Sequence, residues 1–245
     1  MSTRTVVTFD GHDLTADYVV SDLRTALLPR RIRMQEVAGR DGALYTGSAL
    51  SDRTITLTLT ARGGTPAERQ AAGRRLAEIL ATDAPAPLAM SIDGGLYWMA
   101  VPESGGNARR YVTATSFDVS FRISDPAAYG PLRTVTVPSG GSVTFEVGGT
   151  YPALPTVSAS AAGNSSSVGG WRLALDDGSY LMATIPSGVS SAPVVADCAA
   201  RTLTVQGNAT LLRPAADWLV LQPGTRTLTM TGTGAATVTF RERWL

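Results

Sequence analysis

The sequence predicts a mainly β protein, in which an N-terminal β-sandwich with one flanking α-helix precedes a C-terminal jelly-roll β-sandwich. Three observations predict this fold class: long segments that alternate between apolar and polar residues, a single segment with helical periodicity, and many short apolar segments separated by turn residues. With 245 residues, of which 44% are hydrophobic, the chain can form one large domain or two modest ones.

Two long segments alternate between apolar and polar residues. In 53–60, Ile55, Leu57 and Leu59 alternate with threonine, and 116–123 follows the same period with larger apolar side chains. A period of two with β-branched and aromatic residues predicts strands that bury one face only, which is typical of antiparallel sheets.

The one clearly helical segment begins at a capping box. Thr65 at the N-cap and Glu68 at N3 flank Pro66 at the first helical position, and apolar residues follow on one face at helical spacing. The segment is predicted to end before Pro85, because the residue before a proline avoids the α region. We expect this helix to lie on a sheet, with Arg69 among the polar residues that point mostly away from it.

The segment 125–131 predicts an internal boundary, because two prolines and a glycine follow a long alternating strand. The predicted domains are therefore 1–130 and 131–245. Beyond the boundary, short strands separated by Gly-Gly pairs and by Asp176-Asp177-Gly178 favour a jelly-roll or Greek-key sandwich. The predicted strands there are 132–137, 142–147, 154–160, 171–175, 180–185, 194–197, 202–206, 225–231 and 236–241.

Composition argues against several function classes. The 21 basic residues, all of them arginine, oppose 20 acidic residues and leave a net charge of +1, so no general attraction to nucleic acid or anionic lipid is expected. No segment approaches the roughly 18 consecutive apolar residues of a membrane span, and the first residues lack the apolar run of a signal peptide. We expect no sequence-specific nucleic-acid binding, no membrane insertion and folding in a cytosol.

The sequence offers little catalytic or metal-binding chemistry. The single histidine, His12, lies in a turn, and no Gly-x-Ser-x-Gly motif exists for it to activate. The single cysteine, Cys198, is expected to be a buried, inert thiol, and one cysteine with one histidine excludes a Cys- or His-based metal site. The acidic residues are scattered, which disfavours a jelly-roll hydrolase with a facing carboxylate pair. We predict no catalytic residue, no metal and no cofactor.

Three tryptophans, Trp98, Trp171 and Trp218, leave an alternative function open. Exposed tryptophans can form a stacking platform for a sugar, whereas buried ones fill the cores of sandwiches. A carbohydrate-binding or receptor-binding β-sandwich module is therefore the alternative to a purely structural protein.

Several segments, in a fixed order, carry a family resemblance. They are FDGHDL at 9–14, GRDG at 39–42 with GSALSDR at 47–53, the capped helix, the Tyr97-Trp98 pair, SDPAAYG at 124–130, ADCAARTL at 196–203 and WLVLQPG at 218–224. Together they resemble the distal tail protein (Dit) family of long, non-contractile-tailed bacteriophages. The resemblance covers nearly the whole chain, although Thr225 follows the Pro-Gly pair where the family usually has asparagine.

The resemblance implies a structural role without a reaction. It implies a hexameric ring at the distal end of the tail tube, which joins the tube protein to the tail-tip hub (tail-associated) protein and leaves a channel for DNA. The domain 1–130 would be tail-tube-like and form the ring, and the galectin-like domain 131–245 would lie at the periphery. A tail fibre or receptor-binding protein is a further implied partner, in a virion assembled in the host cytoplasm. The chain has no room for the carbohydrate-binding modules that enlarged members carry.

The segment 36–47 is the candidate subunit interface. It is polar and rich in glycine, and its apolar residues Leu44 and Tyr45 would be exposed in a single chain but buried against a neighbour. Arginines suit such contacts because the guanidinium group pairs with carboxylates in two hydrogen bonds. The cluster 30–33, an interface or a solvated patch, precedes it. The predicted interface residues are Arg30, Arg31, Arg33, Arg40, Asp41, Leu44 and Tyr45.

Overall fold

The computed structural model describes residues 5–25, 27, 30–61, 64–163 and 169–245, and the chain divides into two compact units. The first unit is Met1–Ala128 and the second is Tyr129–Trp244. The division falls within the segment 125–131. Antiparallel strands dominate both units, and the described residues contain one α-helix, which confirms the predicted fold class.

The described part of the first unit contains nine strands, one α-helix and one short 3₁₀ helix. In chain order they are β1 Val7–Phe9, β2 His12–Asp13, β3 Tyr18–Thr25, β4 Arg30–Glu36, β5 Ala43–Leu50, β6 Arg53–Ala61, α1 Pro66–Leu80, β7 Ala86–Met90, the 3₁₀ helix Ser91–Asp93, β8 Tyr97–Arg110 and β9 Thr115–Ile123.

The strands of the first unit form two antiparallel sheets and a separate ribbon. One sheet has the order β3–β6–β9–β8 and the other has the order β8–β7–β1–β2, so the long strand β8 belongs to both. The ribbon is the β4–β5 pair. Phe9 of β1 and Phe121 of β9 are fully buried and pack against each other, with ring centroids 4.9 Å apart.

Strand β6 confirms the predicted alternation. Ile55, Leu57 and Leu59 are fully buried, whereas the threonines between them are partly exposed. Burial of each of these apolar side chains stabilises the fold by about 1.5–3 kcal/mol. Because β6 pairs with both β3 and β9, its apolar face lies at the centre of this sheet.

Helix α1 begins where the capping box predicts. The Thr65 hydroxyl accepts a hydrogen bond from the Glu68 amide at 3.2 Å, and the Glu68 carboxylate accepts one from the Thr65 amide at 2.9 Å. The hydroxyl of Tyr18 on β3 donates to the Ala72 carbonyl at 2.6 Å, which attaches the helix to the sheet. The helix approaches β9 so closely that a β-carbon on Gly73 would lie 3.1 Å from the Phe117 ring.

Arg69 differs from the prediction, because its side chain is buried. It lies three and seven residues before Ala72 and Leu76, so all three residues share the helix face that packs on the sheet. Its guanidinium group donates to the carbonyls of Val112 at 3.0 Å and Gly64 at 3.4 Å. These acceptors compensate for the loss of water around the charge.

The second unit contains ten strands in its described part. They are β10 Ala128–Val137, β11 Ser142–Val147, β12 Thr156–Ala161, β13 Gly169–Leu175, β14 Tyr180–Ile185, β15 Ala192–Asp197, β16 Thr202–Val205, β17 Asn208–Thr210, β18 Gly224–Thr231 and β19 Ala236–Trp244. The strands predicted at 142–147 and 180–185 have the predicted bounds, and the others differ at one or both ends.

Two sheets of the second unit enclose one core. Their strand orders are β17–β16–β15–β12–β19–β10 and β11–β18–β13–β14. Both contribute buried apolar residues, among them Trp171 and Leu173 from β13 and Val238 and Phe240 from β19. This arrangement is the predicted β-sandwich.

We predict that Leu57→Ala lowers the free energy of unfolding by about 2–5 kcal/mol, because it leaves a cavity in the core of the first unit. The measurement is chemical denaturation followed by circular dichroism. The matched control is Thr54→Ala on the same strand, where the exposed side chain should cost about 0.5 kcal/mol or less. Equal losses for the two variants would contradict the assignment of the two faces of β6.

Candidate assembly interface

The β4–β5 ribbon extends from the first unit as an exposed hairpin. Arg30 pairs with Leu50 at its base and Glu36 pairs with Ala43 near its tip. Almost every residue of the two strands is exposed, including the apolar ones. Seven residues of β4 extend over roughly 20 Å, since each strand residue advances the chain about 3.3 Å. Such a ribbon has no core of its own.

One face of the hairpin is apolar. Ile32 and Met34 of β4 lie on this face, and Tyr45 is paired directly with Met34, so it shares the face. All three side chains are more than half exposed, at 57%, 63% and 59%. The Tyr45 hydroxyl donates to Ser48 Oγ at 3.0 Å, and Arg30 donates to the same oxygen at 3.3 Å, which orients Tyr45 along the ribbon.

The opposite face of the hairpin is basic. Arg31 and Arg33 alternate with the apolar residues of β4 and therefore point to the other side. The register shifts between Arg33 and Met34, where Thr46 is the extra residue on β5 and its hydroxyl donates to the Arg33 carbonyl at 3.2 Å. The ribbon thus offers two chemically different surfaces.

The hairpin tip carries the remaining predicted interface residues. Gly39 and Gly42, with φ angles of +79° and +81°, allow the turn that exposes Arg40 and Asp41. The fold therefore brings all seven predicted residues onto one ribbon. None of its four arginines forms an ion pair within the described part of the chain.

The base of the hairpin is attached by Arg53, which sequence reasoning missed. This residue is the first of β6 and is separated from β5 by two residues. It is only 6% exposed and donates from Nη2 to the Leu27 carbonyl at 3.0 Å. Its guanidinium group lies 6.0 Å from the centroid of the Trp98 ring. Burial lowers the pKa of Arg53, although the nearby Asp93 partly opposes this shift. The strand pattern did contain a signal for this burial, because Arg53 lies at the same alternating positions as the buried Ile55 and Leu57.

A second surface of the first unit is rich in hydroxyl groups. The polar face of the β3–β6–β9–β8 sheet carries threonines of β6 and serines of β9 in register. Thr56 lies 3.2 Å from Ser120 and Thr60 lies 3.1 Å from Ser116, measured between hydroxyl oxygens. Between these pairs, the Thr58 hydroxyl donates to the Asp118 carboxylate at 2.8 Å.

Charges on this hydroxyl face are paired with each other. Arg109 contacts Asp118 at 3.1 Å, and Arg24 contacts Asp22 at 2.7 Å. The largest group is centred on Arg122, which contacts Asp52 at 2.7 Å and Glu103 at 2.8 Å. The hydroxyl of Ser51 and the Arg122 guanidinium group keep the pKa of Asp52 below its usual value. These arginines are therefore already bound to carboxylates.

The described residues contain no group of three His, Cys, Asp or Glu side chains arranged to hold a metal ion. Within the same residues, no helix is both long enough and apolar enough to cross a membrane. His12 was predicted to lie in a turn, but it is the first residue of β2 and pairs with Phe9 across the Asp10-Gly11 turn.

Two carboxylates share a cleft of about 510 Å³ in the second unit, an arrangement that the sequence did not reveal. Glu242 accepts hydrogen bonds from Arg133 at 3.1 Å and from the Gly148 amide at 3.3 Å. Glu146 accepts one from the Thr225 hydroxyl at 2.9 Å. Both carboxylates therefore have structural partners.

The tryptophans do not form a sugar-stacking platform. Trp98 is buried in the first unit, and Trp171 is buried in the core of the second. Trp218 is half-buried and packs against the same core as Trp171. The three tryptophans therefore do not support the alternative function of a carbohydrate-binding module.

Models of two known protein domains match the two units of the chain, one each. The phage tail protein RIFT-related domain matches residues 15–123, and the siphovirus-type tail component, C-terminal domain, matches residues 148–244. The chain belongs to the distal tail protein family of siphophages. This distal tail protein is therefore a structural component of the virion tail.

Solved structures share the fold of this distal tail protein. The crystal structure of the Dit protein (gp 19.1) of phage SPP1 has a TM-score of 0.79 and 22% sequence identity, over 99% of this chain and 100% of the SPP1 chain. A chain of the phage p2 baseplate, in its activated conformation with Sr, has a TM-score of 0.50 and 9% identity, over 96% and 97% of the two chains. No curated protein sequence matches the chain.

We predict that the thiol of Cys198 does not react in the folded distal tail protein. Burial raises the pKa of Cys198 to about 11, so roughly one thiol in a thousand is ionised at pH 8. Ellman's reagent at pH 8 should react with the thiol only after unfolding in guanidinium chloride. A Ser187→Cys variant, with its cysteine in an exposed turn, should add one thiol that reacts in the folded state. Rapid reaction of the wild-type protein under native conditions would contradict burial of this thiol.

Proposed function

We propose that six copies of this distal tail protein form a ring at the distal end of the tail tube, with a central channel for DNA. The first unit forms the ring and the second unit lies at its periphery. The ring joins the tube protein on one side to the tail-tip hub protein on the other. The exposed hairpin is the observation that carries this proposal.

The hairpin supports assembly because a single chain leaves its apolar face in water. Ile32, Met34 and Tyr45 form an exposed apolar surface on a ribbon, and such surfaces mark protein–protein contacts. Burial against a neighbour would stabilise the contact by about 25 cal/mol for each Å² of apolar surface removed from water. Arg30 beside this face and Arg40 at the tip form no ion pair within the described residues, so they can then bind carboxylates of the neighbour.

Ring symmetry accounts for two different partners. In a cyclic ring every copy has the same orientation along the axis, so the two rims of the ring expose different surfaces. One rim can bind the tube protein while the other binds the hub. The SPP1 relative is described as a paradigm of the hub adsorption apparatus, which supports the same place for this chain. The second unit remains available to a tail fibre or receptor-binding protein.

The hydroxyl face of the β3–β6–β9–β8 sheet suits the wall of a DNA channel. Free arginines would hold the phosphate backbone, because each neutralised phosphate releases counterions and strengthens binding. On this face Arg24, Arg109 and Arg122 already contact carboxylates, and the centre carries neutral hydroxyl groups. DNA can therefore pass such a surface without being retained.

We predict that Arg40→Ala combined with Tyr45→Ala weakens ring assembly, because it removes a charged and an aromatic side chain from the hairpin. Light scattering should show a fall from six chain masses toward the 25.5 kDa of one chain. As a control, Leu211→Ala combined with Arg213→Ala removes an exposed apolar and a charged side chain from the second unit and should leave the mass unchanged. An unchanged hexamer mass for the hairpin variant would argue against this interface.

We predict that a gold label on Thr54→Cys lies in the central hole of the ring. Thr54 is exposed on the hydroxyl face, and the buried Cys198 thiol should not compete for a maleimide reagent. Negative-stain images averaged over many rings should place this label on the axis. The same label on Ser187→Cys should lie at the periphery, and label density outside the hole for Thr54→Cys would contradict the assigned wall.

A further inference from the structure

A groove between helix α1 and the β8–β9 turn is a further open surface of the first unit. It has a volume of about 540 Å³, within the range of clefts that hold ligands. Its floor is apolar, because Gly73 of the helix lies directly on Phe117. Arg74 on the helix and Arg110 on the strand line its walls, and neither forms an ion pair within the described residues.

The groove and the hairpin lie at opposite ends of β6. The hairpin joins the sheet at Arg53, the first residue of β6, whereas the groove includes Thr115, which pairs with Ala61 at the last residue of β6. Eight residue steps separate these ends by roughly 26 Å. The hairpin extends from one end of β6 and the groove opens at the other end. In a head-to-tail arrangement, the hairpin of one copy can therefore face the groove of the next.

The hairpin tip matches the groove in charge and polarity. The tip carries the carboxylates of Glu36 and Asp41 together with the exposed apolar side chains of Val37 and Leu44. The groove offers the opposite arrangement, with guanidinium groups on the walls above an apolar floor. The remaining tip charge, Arg40, also has an opposite counterpart on the helix.

That counterpart is Glu78, which follows Arg74 by one helical turn and is exposed. No ion pair involves Glu78 among the described residues. The three charges of the tip thus have three counterparts of opposite sign on and beside the groove.

We propose that the groove between α1 and the β8–β9 turn receives the hairpin tip of the next copy in the ring. This inference rests on the proposed ring and assigns the surface that receives the hairpin. Glu36 and Asp41 pair with Arg74 and Arg110, and the apolar side chains of the tip cover the floor over Phe117. Exposed Tyr111 and Val112, at the β8–β9 turn, close over the inserted tip.

A charge exchange tests this contact. Glu36→Arg with Asp41→Arg should abolish the hexamer in light scattering, and so should Arg74→Glu with Arg110→Glu. All four changes in one chain should restore the hexamer, because each copy contributes both a tip and a groove. Arg172→Glu with Arg213→Glu in the second unit controls for the change in net charge and should leave the hexamer intact.

Failure of the exchange is distinguishable from failure of the ring. If the wild-type protein forms hexamers but the fourfold variant does not, the groove is the wrong receiving surface and the ring proposal stands. Hexamers that survive either double variant also overturn the groove assignment. A wild-type protein that remains monomeric at all concentrations overturns both proposals.

A pair of cysteine substitutions tests the same contact independently, in case the fourfold variant does not fold. Ala38→Cys in the tip and Ala77→Cys in the groove are exposed positions, and both change little in size. Mild oxidation of the double variant should give a ladder of covalent species up to six chains on a non-reducing gel. Neither single variant should give the ladder, and a double variant that forms rings without the ladder overturns the contact.

Discussion

The alternation of β6 is the constraint on which the rest of the first unit depends. Its apolar side chains form the centre of the core, and its threonines form the hydroxyl face on the other side of the same sheet. Because a strand turns successive side chains to opposite faces, neither surface can change without the other. The two ends of β6 also determine where the hairpin joins the sheet and where the groove opens.

The hairpin shows how a structural protein can separate stability from assembly. Its strands are held by backbone hydrogen bonds and by the attachment of Arg53 to the Leu27 carbonyl, not by a core. Two-stranded hairpins are only marginally stable in water, so a ribbon of this kind gains order when a partner covers it. Its exposed apolar face therefore remains available for assembly.

Sequence patterns predicted the features that depend on residues only a few positions apart in the chain. The capping box placed the start of α1, because this motif satisfies backbone groups within a few residues. The burial of two arginines was not predicted. Arg53 and Arg69 are buried although arginine is usually exposed, because distant carbonyls at Leu27 and Val112 accept their hydrogen bonds.

The sequence by itself determined the fold class and the strand faces of this distal tail protein, since periodicity and turn chemistry act over short distances. Its family was indicated by the resemblance of motifs in a fixed order along the chain. Only the tertiary structure decided which surfaces come together: the two faces of the hairpin, the pairing of charges around Arg122, and the groove over Phe117. Strand register and helix docking set these relationships between residues far apart in the chain. Such contacts leave no periodic signal in a single sequence.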